Sequence, residues 1–256
     1  MKFIILGCGS SMGVPRPDGF FGNCNPNNKK NYRTRCSALI KTKNENVLID
    51  TSPDIRQQLI NNKIKKIDKV FYSHMHADQT HGINDLRVFY ILNKKPIPVY
   101  ADKPTKKYLL NNFKYCFINY SKEYPATLKL MSVNDNLTIK DGRKKISIKP
   151  IKVKHGKVDS ICYIIDKKLA YISDVSQIFQ KDFKYLKNLN YLVLDCLWIN
   201  HHPSHLNLEE SLDLIFKLNP KKAILTNLSP VLDYDYLKKI LPKKVIPAFD
   251  GLTINL

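Results

Sequence analysis

The chain contains only seven histidines. Six fall into two clusters, His74 with His76 and His81 and His201 with His202 and His205, while His155 stands alone between them. Neutral imidazole is a nitrogen donor suited to zinc and related ions. The first cluster directly follows the apolar run Lys69-Val70-Phe71-Tyr72-Ser73. His74 and His76, two residues apart in extended backbone at a strand end, therefore point to the same side and can share one cleft. Asp78 lies at the next alternate position. An isolated His-x-His pair is more often a surface coincidence than a site, so the weight of this one depends on its surroundings.

A chain of 256 residues buries enough apolar surface to fold without a metal staple. With no linker, repeat or low-complexity segment, residues 1–256 are expected to form one domain. No apolar run reaches the length of a membrane span, and the run Phe3-Ile4-Ile5-Leu6 ends at Gly7, too soon for a signal peptide. A cytoplasmic location and no membrane partner are the expectation. The six cysteines form no Cys-x-x-Cys pair, which argues against a disulfide framework or a cysteine zinc site and leaves them as reduced core residues. The net charge of +20 favours a small anionic substrate. It does not favour nucleic acid, because lysine is spread through every segment and no basic run is interleaved with stacking aromatics.

The elements that must position the histidines are legible as short β-branched runs between turn residues. Strands are predicted over Phe3–Leu6, Ala38–Ile40, Val47–Ile49, Val70–Tyr72, Ile97–Tyr100, Ile146–Val153, Ile161–Ile165, Leu169–Ile172, Tyr191–Leu194 and Ala223–Leu225. Pro150 marks an edge or a break in the sixth. Helices are predicted over Pro53–Asn61, Asp85–Leu92, Thr105–Phe113, Leu208–Leu218 and Tyr234–Ile240, where a proline, Asn, Asp or Ser start meets apolar residues three or four apart. Residues Tyr115–Thr138 are poorly patterned. The fold class is α/β, with two sheets sandwiched between helices.

The string His74-Met75-His76-Ala77-Asp78-Gln79-Thr80-His81-Gly82 resembles the H-x-H-x-D-H signature of the metallo-β-lactamase fold, a four-layer αβ/βα sandwich. The resemblance runs along the chain. Residues Leu6-Gly7-Cys8-Gly9-Ser10-Ser11 resemble the opening strand and glycine-rich loop of the branch that holds phosphoribosyl cyclic phosphodiesterase and the tRNA 3′-processing endonuclease. Asp50-Thr51-Ser52-Pro53-Asp54 resembles the acidic strand end that supports the histidine loop, and Gly82-Ile83-Asn84-Asp85 the helix start that follows it. By the same resemblance His155 is the third metal histidine and Asp174 the carboxylate shared between two metals. His205, just before a predicted helix, is by this resemblance the best candidate for a general acid or phosphate contact from the loop 200–210, ahead of His201 and His202.

Two residues depart from the family pattern, Gln79 and Asn227, each standing where a histidine of the second metal site is expected. His74, His76, His155 and Asp174 are expected to hold one Zn²⁺. The second site keeps Asp78 and a share of Asp174, supplemented by amide oxygens, which favour a harder ion such as Mn²⁺ or leave the site empty. His81 is displaced by two residues and is not counted as a substitute. One zinc on three histidines can lower the pKa of water to about 7. Asp78 then orients or deprotonates that water, and His205 protonates the leaving oxygen.

The resemblance implies a metal-dependent hydrolase, with a phosphodiesterase acting on a small cyclic or nucleotide-like molecule as the first reading. Only residues 156–173 separate His155 from Asp174, leaving no room for the tRNA-gripping insertion that the endonuclease carries there. Gly22-Asn23-Cys24-Asn25 holds a single cysteine where the phosphonate-pathway enzyme has a zinc-binding cluster. The rival is a catalytically silent relative that binds an anionic ligand or nucleic acid. A homodimer is compatible with the sequence and not required by it.

Overall fold

The computed structural model describes residues 1–135 and 137–256. The first sheet contains β1 (Lys2–Gly7), β2 (Ser37–Lys41), β3 (Asn46–Ile49), β4 (Lys69–Phe71), β5 (Ile97–Ala101) and β6 (Leu128–Ser132). The second contains β7 (Leu137–Asp141), β8 (Lys144–His155), β9 (Val158–Ile165), β10 (Leu169–Ile172), β11 (Tyr191–Asp195), β12 (Lys222–Thr226) and β13 (Val245–Pro247). The chain then returns to the first sheet as β14 (Thr253–Asn255), antiparallel to β1. The sheet orders are β14-β1-β2-β3-β4-β5-β6 and β13-β12-β11-β10-β9-β8-β7.

Alternation along the strands creates the layers, because successive side chains point to opposite faces. Phe3, Ile5, Ile49 and Phe71 point inward and pack against Ile148, Tyr163, Tyr171 and Val193 of the facing sheet. Their sequence neighbours Ile4, Leu6, Leu48 and Val70 point the other way, onto α1 (Ile55–Asn61), α3 (Arg87–Asn93) and α4 (Lys103–Asn112). In the second sheet Cys162, Ile164, Ile172 and Leu194 pack outward against α6 (Leu208–Leu218) and α7 (Tyr234–Ile240). Two single-turn helices complete the set, α2 (Ala77–Thr80) and α5 (Phe183–Leu186). The layers run helix, sheet, sheet, helix, as expected.

The helix starts follow from local chemistry. Asn207 accepts from the Glu210 amide while Glu210 accepts from the Asn207 amide, a reciprocal cap that fixes the first turn of α6 beside the second histidine cluster. Asp102 and Asp233 cap α4 and α7 one way only, accepting from the Thr105 and Tyr236 amides. β8 is not broken at Pro150. Its pairing with β7 stops at Ile148, so the missing proline N–H costs no ladder bond on that side. All six cysteines are buried and free, and no helix among the described residues is long and apolar enough to cross a membrane.

Candidate metal and hydrolytic site

The site sits at the strand ends where the two sheets meet. β4 delivers Ser73 and His74, and the turn after β3 clamps the loop that follows. Asp50, with a left-handed φ of 62°, accepts the Ser73 amide at 2.7 Å. Thr51 donates its amide to the Gln79 carbonyl and accepts from the Gly82 amide. At Gly82 a side chain is excluded, since a Cβ would stand 2.0 Å from the Ser52 carbonyl oxygen. From the second sheet, β8 ends on His155, and β10, β11 and β12 end on or just before Asp174, Asp195 and Asn227. Asn227 has φ 61°, a conformation that Asn and His tolerate better than most residues.

Three imidazoles converge. His74 Nε2 lies 2.9 Å from His76 Nδ1, and His155 Nε2 lies 3.2 Å from the same atom. The outward nitrogens are engaged: His155 Nδ1 donates to the Ser204 carbonyl at 2.7 Å, and His74 Nδ1 pairs with the Ser73 hydroxyl at 3.0 Å. A carbonyl only accepts, so Nδ1 carries a hydrogen and Nε2 is the His155 nitrogen aimed at the other two rings. Gly156, at φ 58°, allows this approach, because a Cβ there would meet the Ser204 Cβ at 2.8 Å. Burial pulls His74 down to about 3 and, with the neighbouring His155, lowers His76. Both are therefore neutral donors at pH 7. Three imidazole nitrogens converging at one point, with His74 and His155 oriented from behind, is a donor set that fits a divalent ion. His74, His76 and His155 have ligand atoms within 4.8 Å of one another, as do His155, Asp174 and His205.

Beside this seat the expected second one is filled by protein. Gln79 Nε2 donates to Asp78 Oδ2 at 3.0 Å and reaches Asp174 Oδ2 at 3.4 Å. Asn227 Nδ2 donates to Asp195 Oδ1 at 3.1 Å and reaches Asp174 Oδ1 at 3.5 Å. The amide oxygens expected to ligate a second ion are thus turned away from the carboxylates, and Gln79 Oε1 is buried without a partner. The reason is electrostatic: ionised carboxylates accept, so the amide nitrogens must face them. These residues do not fit a second metal ion. Burial and the adjacent Asp174 raise Asp78. Burial also acts to raise Asp174, but His74, His155 and His205 outweigh it and leave Asp174 low.

His205 is the member of its cluster that reaches the site. Its Nδ1 lies 2.7 Å from Asp195 Oδ2, and its ring centroid is 4.6 Å from that of His155. Burial opposes its charge, but Asp195 with Asp174 and Asp78 prevails and lifts it to about 9. With Nδ1–H directed at Asp195, the 3.1 Å approach of Asn227 Nδ2 to the same nitrogen is a contact between two donors and no bond. His202 lies behind His205 with ring centroids 5.2 Å apart and planes tilted by 53°, His201 is exposed and pairs with Glu210, and His81 bonds the Tyr108 hydroxyl away from the site. Asp195 is the residue that sequence reasoning overlooks. It is fully buried, accepts from the Val175 amide, His205 and Asn227, and so ties three strand ends together. Its signal is available: a carboxylate ends β11 as Asp174 follows β10, its parallel neighbour.

A family model described as a beta-lactamase superfamily domain matches residues 45–226. The chain is 31% identical over 258 residues to an octanoyltransferase of Porphyromonas gingivalis, a match that covers 98% of this chain and 51% of that protein. It is 23% identical over 173 residues to a ribonuclease Z of Oceanobacillus iheyensis, covering 66% of this chain and 50% of that one. The chain therefore spans about half the length of these curated relatives. Among solved structures, a diphosphatase from the PhnP family superposes with a TM-score of 0.86 at 30% identity, covering 100% of this chain and 97% of the other.

Proposed function

The chain belongs to the beta-lactamase superfamily, and from that premise we propose that it is a metal-dependent hydrolase of small phosphodiesters, cyclic or nucleotide-like. The observation that carries this reading is the convergence of His74, His76 and His155 next to the His205–Asp195 pair. Asp174 completes the ligand set for one ion, which would be zinc by the softness of three nitrogens. Held by these residues, such an ion would supply Lewis acidity, lowering the pKa of water and polarising a substrate oxygen.

The remaining work falls to the chain. Asp78, steadied by Gln79, orients the attacking water and takes its proton. Asp195 holds His205 by Nδ1, which leaves Nε2–H to protonate the departing oxygen. The similarity to a PhnP-family diphosphatase and a ribonuclease Z supports a phosphoryl substrate, and the excess of lysine over acidic residues supports an anionic one. The octanoyltransferase relative supports a second reading, hydrolysis of an acyl ester or thioester by the same groups.

The test is turnover by the zinc-loaded chain of bis-p-nitrophenyl phosphate, a 2′,3′-cyclic nucleotide and an octanoyl thioester. The reading predicts turnover of the two phosphodiesters and little of the thioester. His205→Ala should lower kcat/KM about 100-fold or more for the cyclic nucleotide, whose alkoxide must be protonated, and much less for the nitrophenyl ester, whose leaving group needs no acid. Preference for the thioester would replace the phosphodiester reading, and no turnover with metal bound would make the chain a silent binder.

A further inference from the structure

A cavity of about 810 Å³ lies outside the site described above, between α3 and residues 114–127. Its volume is within the range of small-molecule sites. One wall is a single helical face: Arg87, Tyr90 and Ile91 share it at three- and four-residue spacing on α3, and Lys94, which caps the helix, extends it. The opposite wall is a loop that brings Tyr115, Tyr120, Lys122 and Tyr124 to the same space.

The loop is held in shape. The Tyr120 amide donates to the Tyr124 carbonyl at 3.1 Å, the Ala126 amide to Asn119 Oδ1 at 2.8 Å, and the Thr127 amide to the Cys116 carbonyl at 3.0 Å. Its base is fastened to the end of the histidine loop by the Tyr115 hydroxyl, which donates to Asn84 Oδ1. Yet its aromatic rings are left bare. Tyr115, Tyr120 and Tyr124 are 48%, 62% and 67% exposed. Among the described residues none of the four tyrosine rings packs against another ring, and Arg87, Lys94 and Lys122 have no carboxylate partner. Among the described residues the one acid lining the cavity, Glu123, is engaged by the Ser121 hydroxyl.

Uncovered tyrosine faces and unpaired cations around one concave space have a matching ligand: a planar ring that stacks on the tyrosines, bearing a phosphate that the cations neutralise. Each segment carries both kinds of residue, Arg87, Tyr90 and Lys94 in one and Tyr120, Lys122 and Tyr124 in the other, but neither is long enough to enclose a ligand alone. They meet only because the fold lays α3 against the loop. We propose that this cavity is a binding site for a nucleoside phosphate, separate from the hydrolytic site and independent of what that site hydrolyses. The same chemistry is offered by a free nucleotide and by a nucleotide of a single RNA strand.

The experiment is calorimetric titration of the full chain with adenosine monophosphate, adenosine, inorganic phosphate and a five-adenylate RNA. Adenosine monophosphate should bind at least tenfold more tightly than either adenosine or phosphate. Tyr120→Ala with Tyr124→Ala, and separately Lys94→Ala with Lys122→Ala, should each weaken that binding at least tenfold. Both exposed pairs should leave the far-ultraviolet circular dichroism unchanged and the turnover of bis-p-nitrophenyl phosphate within twofold. His155→Ala should leave nucleotide binding intact. The RNA binding more than tenfold tighter, with a steeper salt dependence, identifies a strand as the source, and equal affinity identifies the free nucleotide. The proposal is overturned if phosphate binds as well as the nucleotide, if both pocket variants bind like the parent, or if His155→Ala abolishes binding.

Discussion

Restoring the two missing histidines is the sharpest perturbation of the amide-filled seat. Gln79→His with Asn227→His removes the two good amide–carboxylate bonds, at 3.0 Å to Asp78 and 3.1 Å to Asp195, and the two longer approaches to Asp174. A hydrogen bond to a charged group contributes about 1.5–3 kcal/mol, so the ion-free double variant should lose roughly 3–6 kcal/mol. That is a large share of a domain stability of roughly 5–15 kcal/mol. The backbone accepts the change, since histidine tolerates the left-handed φ at position 227. Four protein ligands then face one point, two carboxylates and two imidazoles, and zinc at 100 times its dissociation constant returns about 2.7 kcal/mol. Metal content per chain, Tm against zinc concentration and kcat/KM for bis-p-nitrophenyl phosphate should be compared for the parent, both single variants and the double. The double variant should rise from one zinc towards two, gain Tm beyond the first equivalent, and turn over faster. Each single variant supplies one nitrogen and should achieve far less than half of this. A double variant that holds one zinc and whose Tm ignores further zinc refutes the assignment of these residues to a common seat. A second zinc without faster turnover would favour the silent binder.

His74→Ala or His155→Ala should abolish the single tightly held metal while preserving the fold, because the three apolar clusters do not depend on an ion. Elemental analysis with circular dichroism checks this, and unfolding of either variant would make the site structural. Asp54 tests an ion pair away from the metal seat. Burial acts to raise its carboxyl, but the two-pronged bond from Arg35, at 2.7 and 2.6 Å, prevails and holds it below the ordinary range. A depressed carboxyl stabilises the fold above its unfolded pKa and loses that contribution as pH falls through the folded one. Asp54→Asn should therefore cost about 1 kcal/mol at neutral pH, discounted for partial exposure, with the difference from the parent shrinking towards acid. Urea midpoints across pH 2 to 7 measure it, and a difference that is independent of pH would assign the loss to packing.

The sequence and the structure agree most closely in the interior of each sheet. The ten strands predicted from apolar runs are the ten inner strands, and the four that escape prediction, β6, β7, β13 and β14, are the four outermost. An edge strand is half solvated and pairs on one side, so few of its residues need be apolar: β7 buries only Leu137 and Ile139, and β14 only Ile254. His74, His76, His155 and Asp174 are legible because each ends or closely follows a strand with a strong pattern. Asp195 meets the same rule but is passed over, since its strand is read to Leu194 and its role emerges only through His205 and Asn227. The choice of His205 over His201 and His202 depends on the path of one loop, and the direction of the Gln79 and Asn227 amides depends on which carboxylates are charged. Neither is carried by residue type or spacing.

The seam between the sheets gives the site a mechanical character. His74 and His76 belong to the first sheet, while His155, Asp174 and Asp195 belong to the second. Two bonds cross the seam next to them, from the Ile161 amide to the Ser73 carbonyl at 2.9 Å and from the Tyr163 hydroxyl to the Tyr72 carbonyl at 2.7 Å. Sliding one sheet over the other by a single ångström would separate the imidazoles before it broke either sheet. The pocket is thus a vernier for the alignment of two rigid slabs. A core substitution far from it, such as a smaller side chain at Phe71 or Tyr171 between the slabs, can detune the donors without touching them.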